Sequence, residues 1–207
     1  MKARNEAAEA LLQAGPKAIS AILASDSSES RHRRSMVLIM RMGPIGSRAL
    51  AQLVMDPQQG LKAARMLAHV ITPASYDLAP ACIACLRQQA PGKAYCGIAL
   101  VRSMSPKAAN TVPVLRKAFK AKDVDLRVYA VAALGQIGGA AKPAVTDLIV
   151  VLKDPEARVR FSAVLALGSM GRAARTAAPA LQELSRSKAV TPELATEVEK
   201  ALRSING

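Results

Sequence analysis

The stretch Leu126-Arg127-Val128-Tyr129-Ala130-Val131-Ala132-Ala133-Leu134-Gly135-Gln136-Ile137-Gly138 recurs 33 residues on as Val159-Arg160-Phe161-Ser162-Ala163-Val164-Leu165-Ala166-Leu167-Gly168-Ser169-Met170-Gly171. Both copies carry apolar residues at helical spacing and end on a glycine. Outward from this pair, an end mark recurs along the whole chain: Gly15-Pro16, Gly43-Pro44, Thr72-Pro73, Ser105-Pro106, Gly138-Gly139 and Gly171-Arg172, in steps of 28, 29, 33, 33 and 33 residues. Glycine accepts the backbone that closes a helix, and proline cannot continue one. A fixed period of this size signals an array of stacked units rather than one globular core.

The periodicity predicts an N-terminal helix over 3–14 and six helical hairpins. First helices are expected at 16–25, 44–54, 76–89, 108–121, 141–152 and 174–185. Second helices are expected at 29–42, 60–71, 92–104, 124–137, 156–170 and 192–205. Cys82, Leu115, Leu148 and Leu181 form one column across the first helices, and Cys85, Ala118, Val151 and Leu184 form another one turn on. Residues in one column should share one environment. In the last helix, Leu194, Val198, Leu202 and Ile205 fall on one face, with Glu193, Glu197, Glu199 and Lys200 elsewhere, as a closing cap requires.

Pro179-Ala180-Leu181 in a first helix, Asp154-Pro155-Glu156-Ala157-Arg158-Val159-Arg160 leading into a second, and Val164 through Gly171 closing it resemble the HEAT repeat family. The likeness is closest to its short bacterial form, the phycobilisome-lyase HEAT-like repeat. Asp26 and Asp56-Pro57 stand at the same place in earlier copies. The resemblance implies an all-α fold, an α-solenoid winding as a right-handed superhelix, treated as a single repeat domain over 1–207. It also implies that second helices line the concave surface, where such repeats hold a partner. The chain opens on what reads as the second half of a repeat, so an upstream segment is expected.

Of 207 residues, 51% are hydrophobic, with no Trp, two Phe and three Tyr. Small aliphatic residues therefore fill the core, which suits closely stacked helices. The net charge is +14. Residues 1–130 hold 19 Lys and Arg against 8 Asp and Glu, so attraction for an anionic partner is expected there. No apolar run reaches the roughly 18–20 residues that span a bilayer. No signal peptide is read, and a cytoplasmic monomer is expected.

Positions just after the Val-Arg pair, and four and eight residues on, share a helix face. They read Asn5, Glu9, Gln13; Arg33, Val37, Arg41; Lys62, Met66, Val70; Tyr95, Ala99, Ser103; Val128, Ala132, Gln136; and Phe161, Leu165, Ser169. This face is expected to bind a protein or peptide of acidic character, with Arg33, Arg41, Lys62, Tyr95, Tyr129 and Phe161 as contact residues. The competing reading packs the aromatics between helices and leaves the charges as a solubilising surface. The alternative partner is a nucleic-acid backbone, held by Arg31-His32-Arg33-Arg34, by the Arg116–Lys122 stretch, or by Arg158, Arg160, Arg172 and Arg175. Arg127 and Arg160 are expected to bond acidic or carbonyl groups of an adjacent hairpin.

No catalytic residue, metal site or cofactor is expected. Cys82 and Cys85 have a redox or metal spacing, but zinc needs about four ligands, and their columns read Leu, Ala and Val in later copies. They are expected to pack in the core, unpaired, as in a reducing compartment. His32 and His69 form no His-Glu pair like those of the HEAT-like di-iron hydroxylases. No aromatic and acidic set maps onto the HEAT-like DNA glycosylases, and the likeness to bilin-attaching enzymes is one of the repeat alone.

Overall fold

The computed structural model describes residues 15, 17–24, 29–71, 75–88, 92–187 and 190–207, with the side chains at 29–33, 44 and 76 outside the description. The helix expected over 3–14, with Asn5, Glu9 and Gln13, lies outside it, as do Asp26 and the side chain of Arg33. The chain divides into two compact units, Met1–Ser103 and Met104–Gly207. The first contains helices α1 (17–24), α2 (Glu29–Arg41), α3 (Gly43–Leu53), α4 (Gly60–Val70), α5 (Ala79–Arg87) and α6 (Lys93–Ser103). The second contains α7 (Val112–Ala118), α8 (Val124–Ile137), α9 (Val145–Val151), α10 (Ala157–Met170), α11 (Ala178–Ser185) and α12 (Pro192–Asn206). No strand occurs among the described residues. Successive second helices pack side by side, α2 on α4 on α6 in one unit and α8 on α10 on α12 in the other.

The six second helices lie where the periodicity places them, to within one or two residues at either end. The first helices differ. In three hairpins of the second unit and the last of the first, the expected single helix is split into a 3-10 turn and a shorter α-helix. The turns cover Tyr76–Leu78, Pro106–Thr111, Gly138–Ala144 and Gly171–Ala177. Proline explains the break: Pro80, Pro113 and Pro179 sit at the first turn of α5, α7 and α11, and Pro143 lies in the 3-10 turn before α9. A proline lacks the N–H that an α-helix arriving from upstream needs, and its ring crowds the carbonyl four residues back. The chain therefore enters in tighter turns and begins its α-helix at the proline.

The columns hold. In the second unit Leu115, Leu148 and Leu181 are fully buried and Ala118, Val151 and Leu184 are buried with them; in the first unit Cys82 and Cys85 are buried. Second helices approach closely through small residues. A Cβ added to Gly135 would lie 3.1 Å from Ala166 Cα, and one on Gly168 would lie 3.1 Å from Ala201 Cα. That close approach is how a chain nearly without aromatics reaches core density. The closing helix buries Leu194, Val198 and Ile205, half-buries Leu202, and exposes Glu193, Glu199 and Lys200.

Charge ties the hairpins where Arg127 meets Asp154. Nε donates to Oδ2 at 2.9 Å and Nη2 to Oδ1 at 3.0 Å, while Nη1 donates to the carbonyls of Ala121 and Lys122. Both side chains are about nine-tenths buried, each 11% exposed. The Asp154 carboxylate also accepts from the Glu156 N–H at 2.9 Å, fixing the turn into α10.

Leu134→Ala should cost about 2–5 kcal/mol by opening a cavity, read as a lower melting temperature. Asp154→Ala should cost about 3–5 kcal/mol, because it leaves the Arg127 guanidinium buried without its counter-charge; chemical denaturation measures it. A loss below about 1 kcal/mol in either variant would contradict the packing described.

Candidate functional site

The second helices end in different ways. α8 runs to Ile137 and stops at Gly138, with φ 64° and ψ −141°. α10 runs to Met170 and stops at Gly171, with φ 54° and ψ −135°. This backbone is essentially closed to side chains bearing a Cβ. In the first unit α2 ends at Arg41, with Met42 between it and the positive-φ Gly43. α4 and α6 have no glycine there. Ile71 leaves α4 in extended conformation, and beyond α6 the chain is extended at Ser105. The last helical residue of α6 is Ser103, one position short of where the alignment of Ser105 on Gly138 puts it.

Each second helix presents an outward row. On α2 it is Val37 and Arg41; on α8, the part-exposed Val128 and Ala132 with the exposed Gln136; on α10, Phe161, Leu165 and Ser169, as expected from sequence. On α4 and α6 the expected rows are corrected by one residue. Met66, Val70, Ala99 and Ser103 are buried, and solvent meets Leu61, Arg65 and His69 on α4 and Ala94, Ile98 and Arg102 on α6. In α12 the corresponding positions are Thr196, Lys200 and Ser204, all exposed.

The rows carry large apolar groups in water: Val37 is 53% exposed, Leu61 49%, Ile98 42%, Leu165 43% and Phe161 36%. In the first unit each such residue is followed one turn later by an arginine, Arg41, Arg65 or Arg102. No ion pair is seen for these three among the described residues. Cations of the second unit are more engaged. Arg116 pairs with Asp147, Arg158 with Asp125 at 3.2 Å, Lys153 with Glu183 at 3.4 Å, and Arg172 Nε donates to the Gly207 carbonyl at 3.0 Å.

Among the sequence-predicted contact residues, Arg41 and Lys62 are exposed, Phe161 is partly exposed, and Tyr95 and Tyr129 are half-buried. Lys62 Nζ reaches the Leu23 carbonyl at 3.3 Å, so it also ties α4 to α1. Arg65, Ile98 and Arg102 were missed in the sequence reading, because the end marks were aligned rather than the helix ends.

Arg160 follows the pattern of Arg127 only in part. Its Nη1 donates to the carbonyls of Asp154 and Pro155, both at 2.9 Å, as Arg127 does one repeat earlier. The residue 33 positions beyond Asp154 is Ser187, so no carboxylate meets its other edge. Arg160 Nε is buried without a hydrogen-bond partner among the described residues. It borders a cavity of about 420 Å³ that Leu152, Pro155, Leu184 and Ser187 also line.

The cysteine expectation is corrected. Cys85 and Cys96 form a disulfide between α5 and α6, with Cα atoms 6.4 Å apart, which removes the cysteine argument for a reducing compartment. Cys82 is free and buried, and burial pushes its thiol up to about 12. No group of three or more His, Cys, Asp or Glu that could hold a metal occurs among the described residues. No helix among them is long and apolar enough to cross a membrane.

Residues 112–203 match the sequence profile of the family described as HEAT repeats. No curated protein matches the chain. Several solved structures share its fold. An engineered protein is 19% identical over 96% of each chain, with a TM-score of 0.60. A designed armadillo repeat protein, solved in complex with the peptide (KR)4, is 16% identical over 93% of this chain and 99% of its own, with a TM-score of 0.62. The archaeal HEAT-like repeats protein from Thermococcus onnurineus NA1 is 13% identical over 97% of this chain and 91% of its own, with a TM-score of 0.57. The common fold is an all-α solenoid of helical hairpins.

With its thiol held neutral throughout the neutral range, Cys82 should resist a thiol reagent at about pH 8 in the native protein and react in full once denatured. Fast reaction of the native protein would contradict its burial.

Proposed function

We propose that this chain, a member of the HEAT repeat family, is a non-catalytic scaffold that binds an acidic, partly apolar protein segment on its second helices. The observation that carries the reading is the pairing of exposed apolar residues with arginines one turn apart: Val37 with Arg41, Leu61 with Arg65, and Ile98 with Arg102. Exposed apolar side chains recurring on neighbouring helices mark a contact surface. Arginine and aromatic residues are favoured anchors there. On the first unit the proposed contact residues are Arg41, Lys62 and Tyr95, with Arg65 and Arg102 added from the corrected rows; on the second they are Tyr129 and Phe161, with Leu165 added; Arg33 is kept as a candidate from sequence alone.

The designed armadillo protein of similar fold holds a basic peptide; the arginines on this chain call for the opposite charge. A helix row fixed before binding limits the ordering cost of association. The second reading, a phosphate backbone, rests on the same arginines but leaves Leu61, Ile98, Phe161 and Leu165 without a role. The protein is proposed to act as a monomer.

The test uses a fluorescein-labelled peptide of alternating Leu and Glu, followed by anisotropy. Reversing Arg65 and Arg102 to Glu should weaken binding at least about tenfold, since like charges then face each other, with the circular dichroism spectrum unchanged. Ile98→Ser, in the same rows of the first unit, should weaken it as well. If both variants bind as the parent does, the second-helix surface is not the site. If the peptide fails to bind while duplex DNA binds with an affinity that collapses on adding salt, the phosphate reading takes its place.

A further inference from the structure

In the second unit one arginine rung is complete and the next is open. Arg127 uses Nη1 on two backbone carbonyls and its Nε–Nη2 edge on the Asp154 carboxylate. Arg160 repeats the first half of that arrangement, with Nη1 on the carbonyls of Asp154 and Pro155. Its guanidinium is thereby held by the same two-carbonyl grip, six and five residues back in the chain. The position that would supply the acid is Ser187, whose hydroxymethyl is too short to span the place of a carboxylate. Arg160 Nε is left buried and unpartnered among the described residues.

A buried donor without an acceptor is costly, and the cost is larger for a charged group. Beside it lies a cavity of about 420 Å³. The other charged groups on its wall are already engaged: Asp154 holds Arg127, and Lys153 pairs with Glu183. Leu152, Leu184, Pro155 and Ala180 supply the apolar part. The wall therefore combines the Arg160 guanidinium, which has no counter-charge among the described residues, with apolar side chains and with charges that already have partners. The planar fork of a guanidinium matches a carboxylate through two parallel hydrogen bonds. The chain itself displays that match at Arg127.

We propose that the cavity between Arg160 and Ser187 is a carboxylate-binding site, in which an external carboxylate completes the rung that Ser187 leaves open. The ligand is an acidic side chain of a bound segment or a small free carboxylate; both present the same two oxygens to Nε and Nη2. The site needs Arg160 and the wall residues alone, so it stands apart from the exposed rows and survives if those rows bind nothing.

The side-chain Nε–Hε resonance of Arg160, assigned by its loss in Arg160→Gln, reads the site directly in ¹H–¹⁵N spectra of the full chain. Sodium acetate and a capped Ala-Asp-Ala peptide are titrated separately, against sodium chloride at equal ionic strength and a capped Ala-Asn-Ala peptide. A saturable shift with acetate identifies a free carboxylate as sufficient, and one with the aspartyl peptide alone identifies a side-chain ligand; either supports the site. Ser187→Asp should move the resonance toward that of Arg127 without any ligand, abolish the response to both carboxylates, and raise the melting temperature by about 2–4 °C. A shift that never saturates and is the same with chloride means ionic screening only and overturns the proposal. An Arg160 resonance that ignores both carboxylates in the parent chain overturns it too, whether or not the Ser187→Asp variant folds.

Discussion

The register in which each second helix packs on its neighbours governs which of its side chains meet solvent. A helix that stops against a positive-φ glycine, as α8 does at Gly138 and α10 at Gly171, ends one residue later than one that runs out into extended chain. One residue is about 100° of rotation about the helix axis. On α4 and α6 the outward row lies one residue earlier than on α8 and α10 when the end marks are aligned: Met66 and Ala99 are buried, and Arg65, Ile98 and Arg102 meet solvent.

The interior tolerates this because its neighbours are small. Gly135 lies against Ala166 and Gly168 against Ala201, with no room between them for a further methyl group. Leu115, Leu148 and Leu181 fill the adjoining layer. In such an array each repeat contributes a similar increment and contacts chiefly its neighbours. Arg127 and Asp154 add a buried, fully bonded ion pair across one of these joints. A pair of this kind contributes little compared with apolar packing, but removing either partner is severe. It therefore acts more as a guide to register than as a source of stability.

The basic charge is used differently in the two units. In the second, Arg116, Arg127, Arg158 and Lys153 meet carboxylates, and most of those pairs are exposed and weak. In the first, Arg41, Arg65 and Arg102 stand beside exposed aliphatic side chains, where charge and apolar area act together on a partner. Arg160, also in the second unit, is a half-buried cation that lacks the acid its repeat-mate has.

The hairpins, the buried columns and the closing helix were legible in the sequence, because helical periodicity and glycine or proline stops are local properties of the chain. The prolines were legible too, but that they would divide the first helices into 3-10 and α segments was not drawn from them. Exposure on α4 and α6 was decided only in three dimensions, since it depends on how the helix packs on its neighbours rather than on where the next proline stands. The Cys85–Cys96 bond needed two helices brought within 6.4 Å, which no spacing reveals. The open edge of Arg160 likewise exists only because Asp154 closes the equivalent edge of Arg127 from another hairpin. Local preferences wrote the elements into the sequence; contacts within and between hairpins, which join residues distant along the chain, settled which of their side chains meet solvent, sulfur or charge.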